Sequence, residues 1–282
     1  MPAIAPPESS TENPPLLLIH PIGVGLSRRF WDRFCQTWFA LDPTRTIYNP
    51  DLLGCGESAM PAIAYAPEDW ADQLQHFLKT VVKRPVVVIA QGALTPVALR
   101  LAEQQETPNL IDRMVFSDPP AWAVITGAAN PLQQRVGWNL LDTPLGQGFY
   151  RYARRSSFLR SFSARQLFAQ AENVDQAWIE TLVKGSEKPE SRFAVFAFLA
   201  GFWRQNYQDA IANLPQPTLV VIGDSATSIS RSGKSETLEQ RMANYLRYLP
   251  KGQGVQIEGR NVLPYESTEE FVAVVRSFLG SS

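Results

Sequence analysis

The sequence is poorest in the residue types that carry most enzymatic chemistry. Its 282 residues include two histidines, His20 and His76, and two cysteines, Cys35 and Cys55. So few cysteines exclude a disulfide scaffold and a cysteine-rich metal site. Two histidines so far apart, with no acidic partner pattern, make no metal site either. Charge of one sign is also missing: 26 Lys and Arg against 27 Asp and Glu leave a net charge of −1. That removes the electrostatic footprint of a nucleic-acid binder. No Gly-x-x-x-x-Gly-Lys or Gly-x-Gly-x-x-Gly occurs, since Gly23 and Gly25 lack the third glycine, and a nucleotide cofactor has no support. The longest conspicuous apolar run, Phe193 to Trp203, is eleven residues between Arg192 and Arg204, short of the about 20 that span a bilayer. The proline-rich opening, residues 1–14, lacks the basic start and apolar stretch of a secretory signal and reads as a flexible tail. These features predict a cytoplasmic protein without cofactor or metal.

What is present describes a globular chain, with 45% hydrophobic and 19% charged residues. At about 150 residues per domain the length suits two domains, or one larger domain with an insertion. Six short apolar runs read as buried strands: Leu16–His20, Thr46–Asn49, Pro85–Ala90, Arg113–Ser117, Pro217–Gly223 and Val255–Glu258. Runs without polar alternation, such as Val86-Val87-Val88-Ile89, suit a parallel sheet covered on both faces. Helical patterns lie between them, over Asp69–Val82 (with Trp70, Leu74, Phe77 and Leu78 on one face), Thr95–Glu103, Ser235–Leu249 and Ser267–Leu279. Alternation of this kind predicts an α/β fold with a doubly wound, mainly parallel sheet of about six strands. The rhythm breaks between Ala121 and Gln216, where only aromatic-rich helical patterns occur. The expected division is a core of residues 15–122 and 214–282 with a helical cap insertion at 123–213.

Several segments now resemble the α/β-hydrolase fold family. Leu16-Leu17-Leu18-Ile19-His20-Pro21-Ile22-Gly23 is similar to its strand and oxyanion loop, and Asn49 to Ser58 to its Asp-x-x-Gly-x-Gly-x-Ser loop. Val86 to Leu101 resembles the strand–elbow–helix unit, Pro217 to Asp224 the strand before the acid, and Ile257 to Glu266 the last strand and histidine loop. The resemblance extends to hydrolase-like proteins of cyanobacteria and chloroplasts that lack the catalytic triad. It implies an α/β-hydrolase core under a helical cap.

The family's chemistry needs a nucleophile on a strained turn, a histidine that activates it, and an acid that holds the histidine. Here the elbow reads Ala90-Gln91-Gly92-Ala93-Leu94, so the nucleophile position falls on Gly92. No Ser, Cys or Asp lies between Val86 and Leu101, and Thr95 is the only hydroxyl there. The histidine position falls on Val262, and no histidine follows His76. The acid position falls on Ala226; Asp118 and Asp224 are residual acids, each expected to be a loop or capping group. Ser58 in Gly56-Glu57-Ser58 reads as loop structure, and His76 as structural. His20 packs beside the oxyanion loop. The expected ligand pocket is His20, Ile22, Gln91, Gly92, Ala93 and Val262.

The cap adds a charge signal. From Thr143 to Ala171 there is no Asp or Glu but five arginines, Arg151, Arg154, Arg155, Arg160 and Arg165, interleaved with Tyr150, Tyr152, Phe158, Phe162 and Phe168. One reading is an amphipathic cap with solvated arginines; the other is a surface for an anionic membrane, such as the thylakoid, or an acidic partner. Phe193, Phe196, Phe198, Phe202, Trp203 and Tyr207 read as cap packing that could also wall an apolar cavity. The expectation is therefore a catalytically inactive hydrolase-like protein. It would bind an apolar small molecule, a protein partner, or both, as an assembly or scaffolding factor. The alternative is an esterase, thioesterase or lyase with a rearranged site.

Overall fold

The structure is a computed structural model that describes residues 13–280; residues 1–12 of the expected tail lie outside the described residues. All six expected strands are present, as β1 (Leu16–Ile19), β2 (Ile47–Tyr48), β3 (Val86–Gln91), β4 (Ile111–Ser117), β5 (Thr218–Gly223) and β6 (Gly252–Ile257). They form one parallel sheet in the order β2-β1-β3-β4-β5-β6. Every residue of β1, β3 and β5 is buried, as strands covered on both faces require. Their pleat divides the core in two. Leu17, Ile19, Val86, Val88 and Ala90 face one cluster, while Leu16, Leu18, Val87 and Ile89 face the other.

Helices cover both faces. They are α1 (Asp32–Leu41), α2 (Pro67–Phe77), α3 (Thr95–Glu103), α4 (Trp122–Ile125), α5 (Pro131–Leu141), α6 (Pro144–Ala153), α7 (Ser156–Gln166), α8 (Gln176–Gly185), α9 (Arg192–Ala200), α10 (Gln208–Ala212), α11 (Leu238–Tyr248), α12 (Leu263–Glu266) and α13 (Thr268–Gly280). The helix expected to reach Val82 ends as α at Phe77. It continues as a wider π turn over Leu78–Val82, closed by Lys83 at φ +57°. α1 is absent from the sequence reading, although Trp31, Phe34, Cys35 and Trp38 have helical spacing. β6 starts earlier than the apolar pattern suggests because Gly252, Gln253 and Gly254 are polar or small on an edge strand. A Cβ on Gly254 would stand 2.4 Å from Met242 Sδ, so that glycine lets α11 lie close.

Between β4 and β5 the described chain is helical, α4 to α10, and forms the cap. Its seat on the core is tight. A Cβ on Gly25, in the loop after β1, would lie 1.8 Å from the Leu182 carbonyl oxygen of α8; one on Gly185 would lie 2.1 Å from the Gly25 carbonyl. Gly25 also has φ +76°, which side chains other than glycine's rarely tolerate. Polar ties reinforce the seat. Asp175, the N-cap of α8, receives hydrogen bonds from Arg33 of α1 and, at 3.0 Å, from the Tyr265 hydroxyl of α12.

Candidate functional site

The chain runs from β1 out to edge strand β2 and returns to β3 on the other side of β1. Such a switch point opens a crevice beyond the carboxyl ends of the strands, where ligands of open α/β sheets bind. The expected elbow is there. Gln91 ends β3, Gly92 takes φ +60°, and α3 begins at Thr95. Thr95 Oγ1 donates to the Gly92 carbonyl at 2.8 Å, which commits the one hydroxyl of residues 86–101 to holding the turn. Gly92 is half-buried, and a Cβ built on it meets no atom within 4 Å. The turn and the room for a nucleophile are both present; the side chain is not.

The loops after β5 and β6 converge on this turn. Gln91 Nε2 donates to the Asn261 carbonyl at 2.9 Å, which sets the elbow strand against the residue before Val262. Asn261 Nδ2 donates to the Gln166 carbonyl of the cap at 2.7 Å and to the Thr227 carbonyl at 3.0 Å. One asparagine thus joins the histidine loop, the acid loop and the cap. Val262 is buried in an apolar cluster and Ala226 is buried likewise. Asp224 is exposed and accepts from the Gly259 amide at 3.2 Å, which fastens the loops after β5 and β6 together.

Asp118 is different. It follows β4 at φ +42° and is buried. Its Oδ1 accepts from the Gly223 amide at 2.9 Å, while its buried Oδ2 has no partner. Burial pushes its carboxyl up to about 8, against the opposing pull of that amide and of Arg241, with Glu266 adding to the rise. Ser117 Oγ and Gln91 Oε1 are also buried without partners, and the two residues are aligned across β3 and β4. Polar atoms of this kind are uncommon in folded interiors.

Neither histidine offers a free base to this turn. His20 is fully buried between Pro21 and Leu52; its Nδ1 donates to the Pro21 carbonyl at 2.8 Å and its Nε2 accepts the Leu52 amide at 3.1 Å. Burial lowers its pKa, opposed by the Pro21 hydrogen bond and the Asp51 charge. It is a neutral clamp on the following loop. His76 lies exposed on α2, beside a surface cleft of about 550 Å³ that also borders Asp72 and Gln104. Ser58 donates to the Asp51 carbonyl at 2.7 Å and is a loop fastener. Burial pushes both thiols, Cys35 and Cys55, up to about 12, so neither offers a thiolate nucleophile at neutral pH. Among the described residues, no three His, Cys, Asp or Glu side chains are placed to hold a metal.

Of the residues expected to line a pocket, His20, Ile22, Gln91 and Val262 are buried, while Gly92 and Ala93 are half-buried. A second surface cleft, about 540 Å³ and bordered by Ala123, Glu236 and Asn244, lies apart from them. The five cap arginines divide. Arg154 donates to the Ser186 carbonyl at 3.1 Å, Arg160 to the Val174 carbonyl at 2.8 Å, and Arg165 to the Ser161 carbonyl at 3.1 Å, all within the cap. Arg151 and Arg155 are exposed, and the Arg155 guanidinium lies 5.6 Å over the Tyr152 ring. The second aromatic group packs as expected: Phe193, Phe196, Trp203 and Tyr207 are buried. No described helix is long and apolar enough to cross a membrane.

The model of the alpha/beta hydrolase family matches residues 16–274. Solved structures agree in fold. A thermophilic esterase from Thermogutta terrifontis superposes with a TM-score of 0.71 at 20% identity, covering 94% of this chain and 89% of that one. A bromoperoxidase from Bacillus anthracis gives 0.71 at 15% identity, with 96% and 93% covered. An enol-lactonase from Burkholderia xenovorans LB400 gives 0.69 at 13% identity, with 97% and 94% covered. A search of the curated proteins finds no match. The chain belongs to the alpha/beta hydrolase family.

Proposed function

We propose that this member of the alpha/beta hydrolase family acts by binding and not by hydrolysis. The observation that carries the reading is the elbow: Gly92 holds the strained turn with nothing to attack a carbonyl, and buried Val262 stands in the loop where the base would be. Nucleophile and base act as a unit, so the loss of both removes the covalent route. The ligand is an apolar small molecule admitted at half-buried Gly92 and Ala93, or a protein partner held by the same end of the sheet. In this reading the protein serves as an assembly or scaffolding factor in the cytoplasm.

One observation favours a second reading, a hydrolase, thioesterase or lyase with a rearranged site. A buried acid near 8, such as Asp118, holds a proton at neutral pH and could act as a general acid. Turnover of short and medium acyl esters and thioesters separates the two. The binding reading expects rates equal to a heat-treated sample. Turnover that disappears in Asp118→Asn would establish the second reading instead.

A further inference from the structure

α5 and α6 are built the wrong way round for a cap that ends at water. α5 has no fully buried residue. Its Leu132, Val136 and Leu140 recur at every fourth position and are 69%, 59% and 59% exposed. On α6, Leu145, Phe149 and Tyr152 follow at spacings of four and three, 75%, 41% and 52% exposed. These six are nearly half of the 13 exposed large apolar side chains of the described residues, yet they come from two helices joined by Asp142 and Thr143. Single exposed apolar residues are ordinary; rows at helical spacing on touching helices are not. The inward faces already have their partners: Trp138 packs on Phe193 and Phe202, and Tyr150 on Phe196 and the Ser191 hydroxyl.

Charge indicates what covers the rows. Between Pro119 and Ala171 there are six arginines and one acid, Asp142. None of the six pairs with a carboxylate of the described residues: Asp175 is taken by Arg33 and Tyr265, and Glu180 by Gln176. Arg154, Arg160 and Arg165 spend donors on cap carbonyls, while Arg135, Arg151 and Arg155 are exposed beside the apolar rows. Apolar and aromatic side chains flanked by cations, with almost no acid, match the boundary between acyl chains and anionic headgroups.

We propose that the α5–α6 face of the cap docks on an anionic lipid bilayer, with Leu132, Val136, Leu140, Leu145, Phe149 and Tyr152 entering the interface and Arg135, Arg151 and Arg155 meeting the headgroups. This proposal does not rest on the binding reading of the elbow. It is tested by co-sedimentation of the full chain with vesicles of phosphatidylglycerol and phosphatidylcholine, against pure phosphatidylcholine, at low and high salt. The anionic vesicles should bind the protein, and salt should weaken the binding. Arg135→Glu/Arg151→Glu/Arg155→Glu should lower partitioning on the order of a hundredfold. Leu145→Glu/Phe149→Glu should lower it at least as far. Val81→Glu, which changes an equally exposed apolar residue outside the cap, should bind as the parent does. Equal binding by all variants would overturn the proposal, as would failure to bind anionic vesicles at low salt. A dimer in sedimentation velocity that Leu145→Glu/Phe149→Glu dissociates, without vesicle binding by the parent, would assign the face to a second copy instead.

Discussion

The rim of the sheet and the outer face of the cap are opposites. At the rim, polar groups are tied to backbone: His20 to Pro21 and Leu52, Asp224 to Gly259, Gln91 and Asn261 to neighbouring loops. The turn at Gly92 is held there at positive φ by the Thr95 hydroxyl. On α5 and α6 the reverse holds, with well-formed helices whose apolar side chains have no cover. The difference separates a shape held by local hydrogen bonds at the rim from apolar surface on the cap that the fold itself does not require, and it underlies the proposed binding function.

The contrast can be broken most severely at the cap's seat. Gly25→Val puts a branched side chain at positive φ against the α8 carbonyl, and strain plus overpacking should cost about 4 kcal/mol. Chemical denaturation measures it; a cost near zero would mean that the cap is not seated as described. A smaller effect comes from Asp118. Its folded pKa of about 8 lies above the ordinary value, so the stability linked to its proton is full below about pH 4 and is lost as pH rises through 8. Asp118→Asn should remove a decline of about 3.5 kcal/mol between pH 5 and pH 8, read from unfolding midpoints across that window. Gly92→Ser should cost about 1 kcal/mol for the positive φ, because a Cβ there meets open space, and should gain no ester turnover while Val262 stands in the base's loop. The smallest effect belongs to the outer cap: Leu145→Ser should change stability by less than about 0.5 kcal/mol, since that side chain is 75% exposed. A larger loss would show that the apolar rows support the fold and are not an external surface.

Much of this was legible in the sequence, for identifiable reasons. Fully apolar strands such as β3 declare themselves, and the elbow could be placed at Gly92 because a strand ran directly into a helix there. That no histidine follows His76 is read from the sequence alone. What pattern reading misses is tertiary. α1 hides in an aromatic-rich stretch whose partners, such as Phe271, are distant in sequence. The first residues of β6 are polar because that strand is an edge. The arginines looked alike in sequence, yet Arg154 and Arg160 are fixed to carbonyls that only the fold brings near, and the apolar rows of α5 and α6 appear as a surface only once their inner faces are seen to be filled.

The most direct test of the central claim is the intact mass of the folded protein after incubation with a fluorophosphonate. If the elbow has lost its chemistry, the mass is unchanged and matches that of Gly92→Ala treated in parallel. A stoichiometric adduct on the parent protein, at Ser58 or any other hydroxyl, would contradict it and identify a working nucleophile.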